Sequence, residues 1–282
     1  MNNEVRVWVN GSLMGADQPA LAALDHGITV GDGGFETCKI VDGAVFAADR
    51  HLARMDRTLA GLGLPPADRA LLQEGVDAVL AAGPRIGFGR LRYTITGGPG
   101  PLGSDRGDAG MTYIVTAAEV TPFAPTTAVA TVPWTRNERA ATAGLKTTSY
   151  AENVIALAHA KDKGGSEALF ANTRGELCEG TGSNIFVVLD GRLCTPPLDS
   201  GCLAGITRDL ALEWSREAGI EVIEEALPFD VLGRAEEAFL TSSTRDVQPI
   251  NAIDGRELIA PGPVTARVQE VFARASTAAI NP

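Results

Sequence analysis

A mixed α/β fold in two lobes is what this sequence predicts, on three observations. Asp-Gly pairs at 32–33, 42–43, 190–191 and 254–255 punctuate apolar runs such as Phe35–Val41 and Asn184–Leu189. At least three of these pairs read as hairpin turns, because Asp-Gly tolerates the positive φ of a tight β-turn. Elsewhere apolar residues recur at helical spacing. Finally, Val120-Thr-Pro-Phe-Ala-Pro-Thr-Thr127 has the chemistry of a linker. The expected division is a small α/β domain over 1–120, an interdomain linker over 121–127 and a large domain over 128–282. A chain of 282 residues lies between one large domain and two modest ones and can bury a substantial core.

The helices follow in chain order. Asp49 is a plausible N-cap for a helix with Leu52, Met55 and Leu59 on one face, stopped at Gly61 and Gly63. Ser149-Tyr-Ala-Glu152 has the capping-box pattern, with Ala151, Val154, Ile155 and Ala158 as the expected apolar face. A third helix is expected from about Thr207 to Ala218, with Leu210, Ala211 and Trp214 inward and Gly219 just beyond its end. The Gly/Pro-rich stretch between Gly97 and Gly110 can hardly hold regular structure and reads as a mobile loop, a place where function often sits.

Composition excludes several function classes. Apolar residues make up 45% and charged residues 21% of the chain, ordinary globular usage. A net charge of −11 argues against a nucleic-acid or anionic-membrane footprint, which needs clustered Lys and Arg. Cys38, Cys178, Cys194 and Cys202 form no CxxC pair and lie far from His26, His51 and His159, so zinc-ligand spacing is absent. Scattered thiols suit a reducing compartment. The start, Met1-Asn-Asn-Glu-Val-Arg-Val-Trp, has neither basic n-region nor apolar h-region. A cytoplasmic, unanchored protein is expected.

Lys146 sits in Ala143-Gly-Leu-Lys-Thr-Thr-Ser149, where a strand-like region meets a helix start. On position alone such a lysine reads as a solvated surface charge. Its neighbours change that. Downstream lies Glu179-Gly-Thr-Gly-Ser-Asn184-Ile-Phe186, and the chain also carries Gly31-Asp-Gly-Gly-Phe-Glu36, His51-Leu-Ala-Arg54, Gly205-Ile-Thr207 and Thr241-Ser-Ser-Thr-Arg-Asp-Val-Gln-Pro249. Taken together and in this order, these blocks resemble the class IV aminotransferases across nearly the whole chain.

The resemblance implies pyridoxal 5′-phosphate (PLP) as cofactor and fold type IV: a small α/β lobe, a larger lobe with a barrel-like sheet, PLP between them, and a homodimer with a shared active site. It implies Lys146 as the catalytic residue that carries PLP as a Schiff base. Glu179 would meet the pyridine nitrogen, keeping the ring an electron sink. Ile206 and Thr207 open a helix whose N-terminal amides suit the cofactor's phosphate, and Arg54 would add a fixed charge through a planar donor fork. Ser243 and Thr244 resemble the residues that finish the phosphate cradle and offer an amide to the substrate carboxylate. Tyr150 could approach the phenolic oxygen or could equally be core.

Substrate choice is read from the smaller lobe. Phe35, Thr37 and Lys39 should share one face of a strand. Thr37 with Lys39 resembles aminodeoxychorismate lyase more than the branched-chain enzymes, which typically have glycine then arginine there. D-amino acid aminotransferases typically place an Arg-x-His carboxylate clamp where this chain has Leu102-Gly-Ser104. Arg90 and Arg92, alternating on a strand, and Arg106 in the loop are the candidates to replace that charge. The expected activity is transamination between a D-amino acid, with R-amines tolerated, and a 2-keto acid. Aminodeoxychorismate lyase is the alternative, and a branched-chain aminotransferase follows it.

Overall fold

The computed structural model describes residues 5–282; Met1–Glu4, part of the stretch read above for a leader, lie outside the described residues. The chain forms two compact units. One comprises the chain up to Pro122 with Leu145–Tyr150 and Ile280–Pro282, and the other comprises Phe123–Gly144 and Ala151–Ala279. The Lys146 segment, placed by the sequence reading in the large domain, therefore packs within the first unit. The expected linker is irregular up to residue 126, but Thr127 already begins a strand and is buried.

The first unit contains β1 (Arg6–Val9), β2 (Ser12–Met14), α1 (His26–Thr29), β3 (Gly33–Val41), β4 (Ala44–Val45), α2 (Ala48–Leu62), α3 (Arg69–Ala81), β5 (Phe88–Thr96) and β6 (Thr112–Glu119). Its strands form one antiparallel sheet in the order β2-β1-β6-β5-β3-β4. Residues alternate across β3: Cys38 and Ile40 join Leu91, Ile95 and Val115 in a core with Met55 and Leu59 of α2. Met55 and Leu59 are fully buried and each contributes about 2 kcal/mol through loss of contact with water.

Asp42-Gly43 makes the expected hairpin, both residues having positive φ. Asn10-Gly11 makes a further one between β1 and β2 by the same chemistry. Asp32-Gly33 is not a turn, because Gly33 begins β3. The N-cap of α2 is Ala47 in the left-handed region and not Asp49, which lies in the first turn and accepts a hydrogen bond from Asn281 Nδ2 at 2.8 Å. α2 runs through Gly61 and ends on Gly63 at φ 69°. α3, absent from the sequence reading, has a clear start signal: Asp68 accepts from the amides of Ala70 and Leu71.

The second unit contains β7 (Thr127–Arg136), α4 (Ala151–Asp162), β8 (Glu167–Asn172), β9 (Leu177–Gly180), β10 (Asn184–Leu189), β11 (Arg192–Thr195), α5 (Ile206–Glu217), β12 (Val222–Glu224), β13 (Glu237–Ser242), β14 (Asp246–Ile253), β15 (Arg256–Glu257) and α6 (Pro263–Ala278). The sheet is mixed, in the order β12-β11-β10-β13-β14-β7-β8-β9, with β15 beside β14. β9, at one end of that order, returns by a tight loop to β10 inside it, where Gly180 N donates to Ser183 O at 2.8 Å. The sheet thus curls back on itself, which gives the barrel-like form. Asp190-Gly191 and Asp254-Gly255 make the other two expected hairpins.

The expected apolar face of α4 is reversed. Ala156 and Ala160 pack on Ala130, Val132, Ala168 and Phe170, while Val154 and Ile155 are 64% and 56% exposed. Small side chains let the helix lie close to β7 and β8, and the larger ones stay outside. Nor is there a capping box: Ser149 Oγ donates to Gly31 O at 3.2 Å, and Glu152 Oε2 accepts from Arg136 at 2.6 Å. α5 matches its expected span, and Trp214 packs edge-on to Phe272 of α6, ring centroids 4.9 Å apart. α6 was also outside the sequence reading, although Pro263 at its start marks it. Among the described residues no helix is long and apolar enough to cross a membrane.

Candidate active site

Lys146 is held against the start of β3. Phe35 N donates to Lys146 O at 3.0 Å, Thr148 N to Gly33 O at 2.8 Å, and Lys146 N to Thr58 Oγ1 at 3.3 Å. Gly34 lets α2 lie close to β3 here: a Cβ there would come within 2.7 Å of Thr58 Cγ2. The segment therefore acts as a short extra edge on β3, with Lys146 beside Phe35 and near enough to Cys38 and His51 for its charge to act on both. Lys146 Nζ lies 4.2 Å from the centre of the Phe35 ring and 5.8 Å from that of Tyr150. Those two rings meet edge to face at 5.2 Å.

The Arg92 guanidinium lies on the same Phe35 ring at 3.8 Å. Arg92 pairs with Thr37 in the β3–β5 register, and Arg90 with Lys39. Arg92 is an exposed residue, yet partial shielding by its neighbours lowers its pKa, Tyr150 raises it and Arg90 lowers it further. Phe35, Lys146, Tyr150 and Arg92 thus come together as a cationic, aromatic face, with Thr37 and Arg90 alongside in register. Lys39 is buried on this strand, its ammonium 4.7 Å from the Phe46 ring.

Arg106 departs from its expected role. Its Nε and Nη2 each donate to Asp32 at 2.7 Å, and Nη1 and Nη2 donate to the carbonyls of Gly63 and Leu62 at 2.9 and 2.7 Å. Four of the five guanidinium donors are taken. The same bonds fasten the 97–110 loop, as does the contact of His26 Nε2 with Pro101 O at 3.0 Å. The loop is irregular, as expected, yet tied at Pro101 and at Arg106. Leu102, between the ties, is 84% exposed.

On the core side of β3, Glu36 forms a two-pronged bond with Arg54, Nε to Oε1 at 2.8 Å and Nη2 to Oε2 at 2.7 Å, and His51 Nδ1 lies 2.6 Å from Oε2. Burial pushes the Glu36 carboxyl up, but Arg54 and His51 outweigh it and hold the pKa at about 2. Burial lowers the pKa of His51 against the pull of Glu36. For Arg54 burial opposes the charge, yet Glu36 raises its pKa in balance. The sequence reading named Arg54 without this partner. The spacing of His51 and Arg54, three apart on one helix face, was the available signal.

In the second unit the Glu179 and Asn184 side chains grip one peptide segment. Leu203 N donates to Glu179 Oε2 at 2.9 Å, and Asn184 Nδ2 donates to Leu203 O at 2.9 Å. Gly205 follows, and a Cβ on it would overlap Asn184 Oδ1. This gives the Glu179…Asn184 spacing a physical reason: both residues fix the approach to α5. Arg136 Nε lies 3.4 Å from Glu179 Oε1. The buried neighbours Cys178 and Cys202 both have raised pKa values, Cys202 to about 11, chiefly through burial and then through Glu179.

α5 begins at Ile206 with Gly205 as an N-cap that offers no side chain. Ile206 and Thr207 are buried, and the buried Thr241 hydroxyl, on the strand paired with Asn184, has no hydrogen-bond partner. A glycine cradle, an uncapped helix start and an orphaned buried hydroxyl fit an anion such as the PLP phosphate. Ser243 and Thr244 form the turn between β13 and β14, closed by Arg245 N to Ser242 O at 3.2 Å.

Comparison with known proteins gives the family of the chain. A family model described as amino-transferase class IV matches residues 33–253. A Methanocaldococcus jannaschii protein provisionally named a branched-chain-amino-acid aminotransferase is 32% identical, over 95% of each chain. A Bacillus licheniformis D-alanine aminotransferase is 31% identical over 94% of this chain and 95% of its own. A fold IV transaminase structure from Curtobacterium pusillum superposes with a TM-score of 0.84 at 28% identity, covering 96% of this chain and 99% of that one. The chain therefore belongs to the class IV aminotransferases, PLP-dependent enzymes of fold type IV.

Proposed function

We propose that this enzyme transfers the amino group of a D-amino acid to a 2-keto acid, accepts R-configured amines as well, and uses Lys146 as its catalytic group. One observation carries the reading. The loop that in the D-amino acid enzymes typically offers a carboxylate clamp has an exposed Leu102 in its place, and its own arginine, Arg106, is bound to Asp32. A site without a buried fixed clamp leaves no charge unpaired when the substrate lacks a carboxylate, and so discriminates less. Arg92, lying on Phe35 beside Lys146, is then the cation for carboxylate substrates, with Thr37, Lys39 and Arg90 next to it.

When bound, PLP supplies the electron sink for negative charge at the substrate Cα. Lys146 Nζ removes the Cα proton. Glu179 holds the ring nitrogen, while Arg54, Ile206, Thr207, Ser243 and Thr244 hold the phosphate side and Tyr150 lies towards the phenolic oxygen. The enzyme acts as a cytoplasmic homodimer, a reading supported by four buried free cysteines and by exposed apolar side chains at Ile28, Val154 and Ile155.

The branched-chain reading is favoured by the name of the Methanocaldococcus relative, and the lyase reading by Thr37 with Lys39. The test is to mix the loaded enzyme separately with D-alanine, (R)-1-phenylethylamine, L-leucine and 4-amino-4-deoxychorismate, and to follow the cofactor absorbance. Conversion to the amine form by D-alanine and the R-amine, and its loss in Lys146→Ala, is the expected result. Conversion by L-leucine alone, or pyruvate release from aminodeoxychorismate without conversion by any D-amino acid, rejects it. Arg92→Leu is expected to raise KM for pyruvate about tenfold, the scale of one charged hydrogen bond, and to leave the R-amine unaffected.

A further inference from the structure

Glu167 opens β8 with 3% exposure, a buried carboxylate with no part in the roles above. Thr181 N donates to its Oε1 at 2.9 Å, the Thr181 hydroxyl donates to the same oxygen, and the Ala168 and Gly182 amides also bond to the carboxylate. On its other side Arg245 Nη2 lies 3.6 Å from Oε2. Arg245 is itself fixed: its guanidinium lies 4.0 Å from the Phe123 ring, and Nη1 donates to Gln248 Oε1, while Gln248 Nε2 donates to Ala124 O at 2.7 Å. A buried carboxylate is costly unless paired and hydrogen-bonded. This one spans two loops. Thr181 and Gly182 lie two and three residues after Glu179, and Arg245 follows Ser243 and Thr244.

We infer that Glu167 is a positioning residue for the cofactor site, fixing the loop after Glu179 against the turn that bears Ser243 and Thr244. The inference rests on the roles proposed above for those three residues. Two groups far apart in sequence are thereby held at one spacing by a single buried side chain. Burial raises the pKa of Glu167 against the opposing pull of Arg245 and the amides.

Glu167→Gln tests this directly, since it keeps the shape and an acceptor for Thr181 but removes the charge facing Arg245. Two quantities are measured besides activity: the Kd for PLP by titration of the apoenzyme, and amide hydrogen exchange of 180–183 and 243–245 without cofactor. The expected result is a Kd about tenfold weaker, one charge-assisted hydrogen bond, with faster exchange in both loops. A merely structural role predicts a lower melting temperature with unchanged PLP affinity, and that outcome overturns the inference. If Glu167→Gln does not fold, Arg245→Gln breaks the same link from its other end, and an unchanged Kd there overturns it equally. Failure of the underlying site reading looks different: the Kd for PLP is then unchanged in Glu179→Gln and in Ser243→Ala themselves.

Discussion

The cluster of Glu36, His51 and Arg54 makes stability depend on acid in a defined direction. Glu36 has its pKa held at about 2, below its ordinary 4.5, so its contribution is complete above 4.5 and is lost as pH falls from there towards 2. His51 has its pKa lowered from 6.5: the unfolded chain takes up a proton that the folded one refuses, and stability falls as pH drops below 6.5. Glu167, with a raised pKa, works the opposite way just above 4.5. Melting curves at pH 7.5, 6, 5 and 4 should show a progressive fall in Tm, with the slope between 6.5 and 5 reduced in His51→Gln. A flat profile in the wild type would contradict the arrangement. Glu36→Gln should cost about 3 kcal/mol by urea denaturation, because it leaves the Arg54 charge buried without its partner.

At the scale of elements, the start of α5 depends on one peptide segment held by two side chains. Gly205→Ala forces a methyl group into Asn184 Oδ1 and should cost about 2 kcal/mol in overpacking, together with weaker PLP binding measured by titration. Unchanged binding would mean that the helix start does not serve the phosphate. The sequence showed this element well, because glycine, helix periodicity and the Glu179…Asn184 pattern all point the same way. It showed α4 poorly. Val154 and Ile155 look like a buried face, yet Ala156 and Ala160 are buried instead, and only the distance between helix and sheet decides which pair goes inside. The Asp-Gly turns at 42–43, 190–191 and 254–255 were legible because their backbone demand is local. The Asp32–Arg106 tie was not, since nothing local relates residues 74 apart.

For the whole molecule the balance is between charge and apolar surface. A formal charge of −11 repels a second copy, whereas exposed Ile28, Leu102, Val154 and Ile155 favour burial against one. Light scattering should give twice the 29.4 kDa chain mass at micromolar concentration, and raising salt from low to physiological ionic strength should tighten association by screening the repulsion. A monomer under both conditions would remove the proposed homodimer. The division into two units explains what the sequence left open at this scale: Leu145–Tyr150 and Ile280–Pro282 join the first unit although they follow its last strand, a return of the chain that composition does not mark.

β3 and β5 serve two masters through the simple alternation of their side chains. Glu36, Cys38, Ile40, Leu91, Tyr93 and Ile95 look into the first unit, while Phe35, Thr37, Lys39, Arg90, Arg92 and Thr94 alternate with them. Selection on one set is therefore largely decoupled from selection on the other. On the face proposed to meet the substrate, changes at positions 35, 37, 90 and 92 would alter amine choice while the core residues one position away keep the fold.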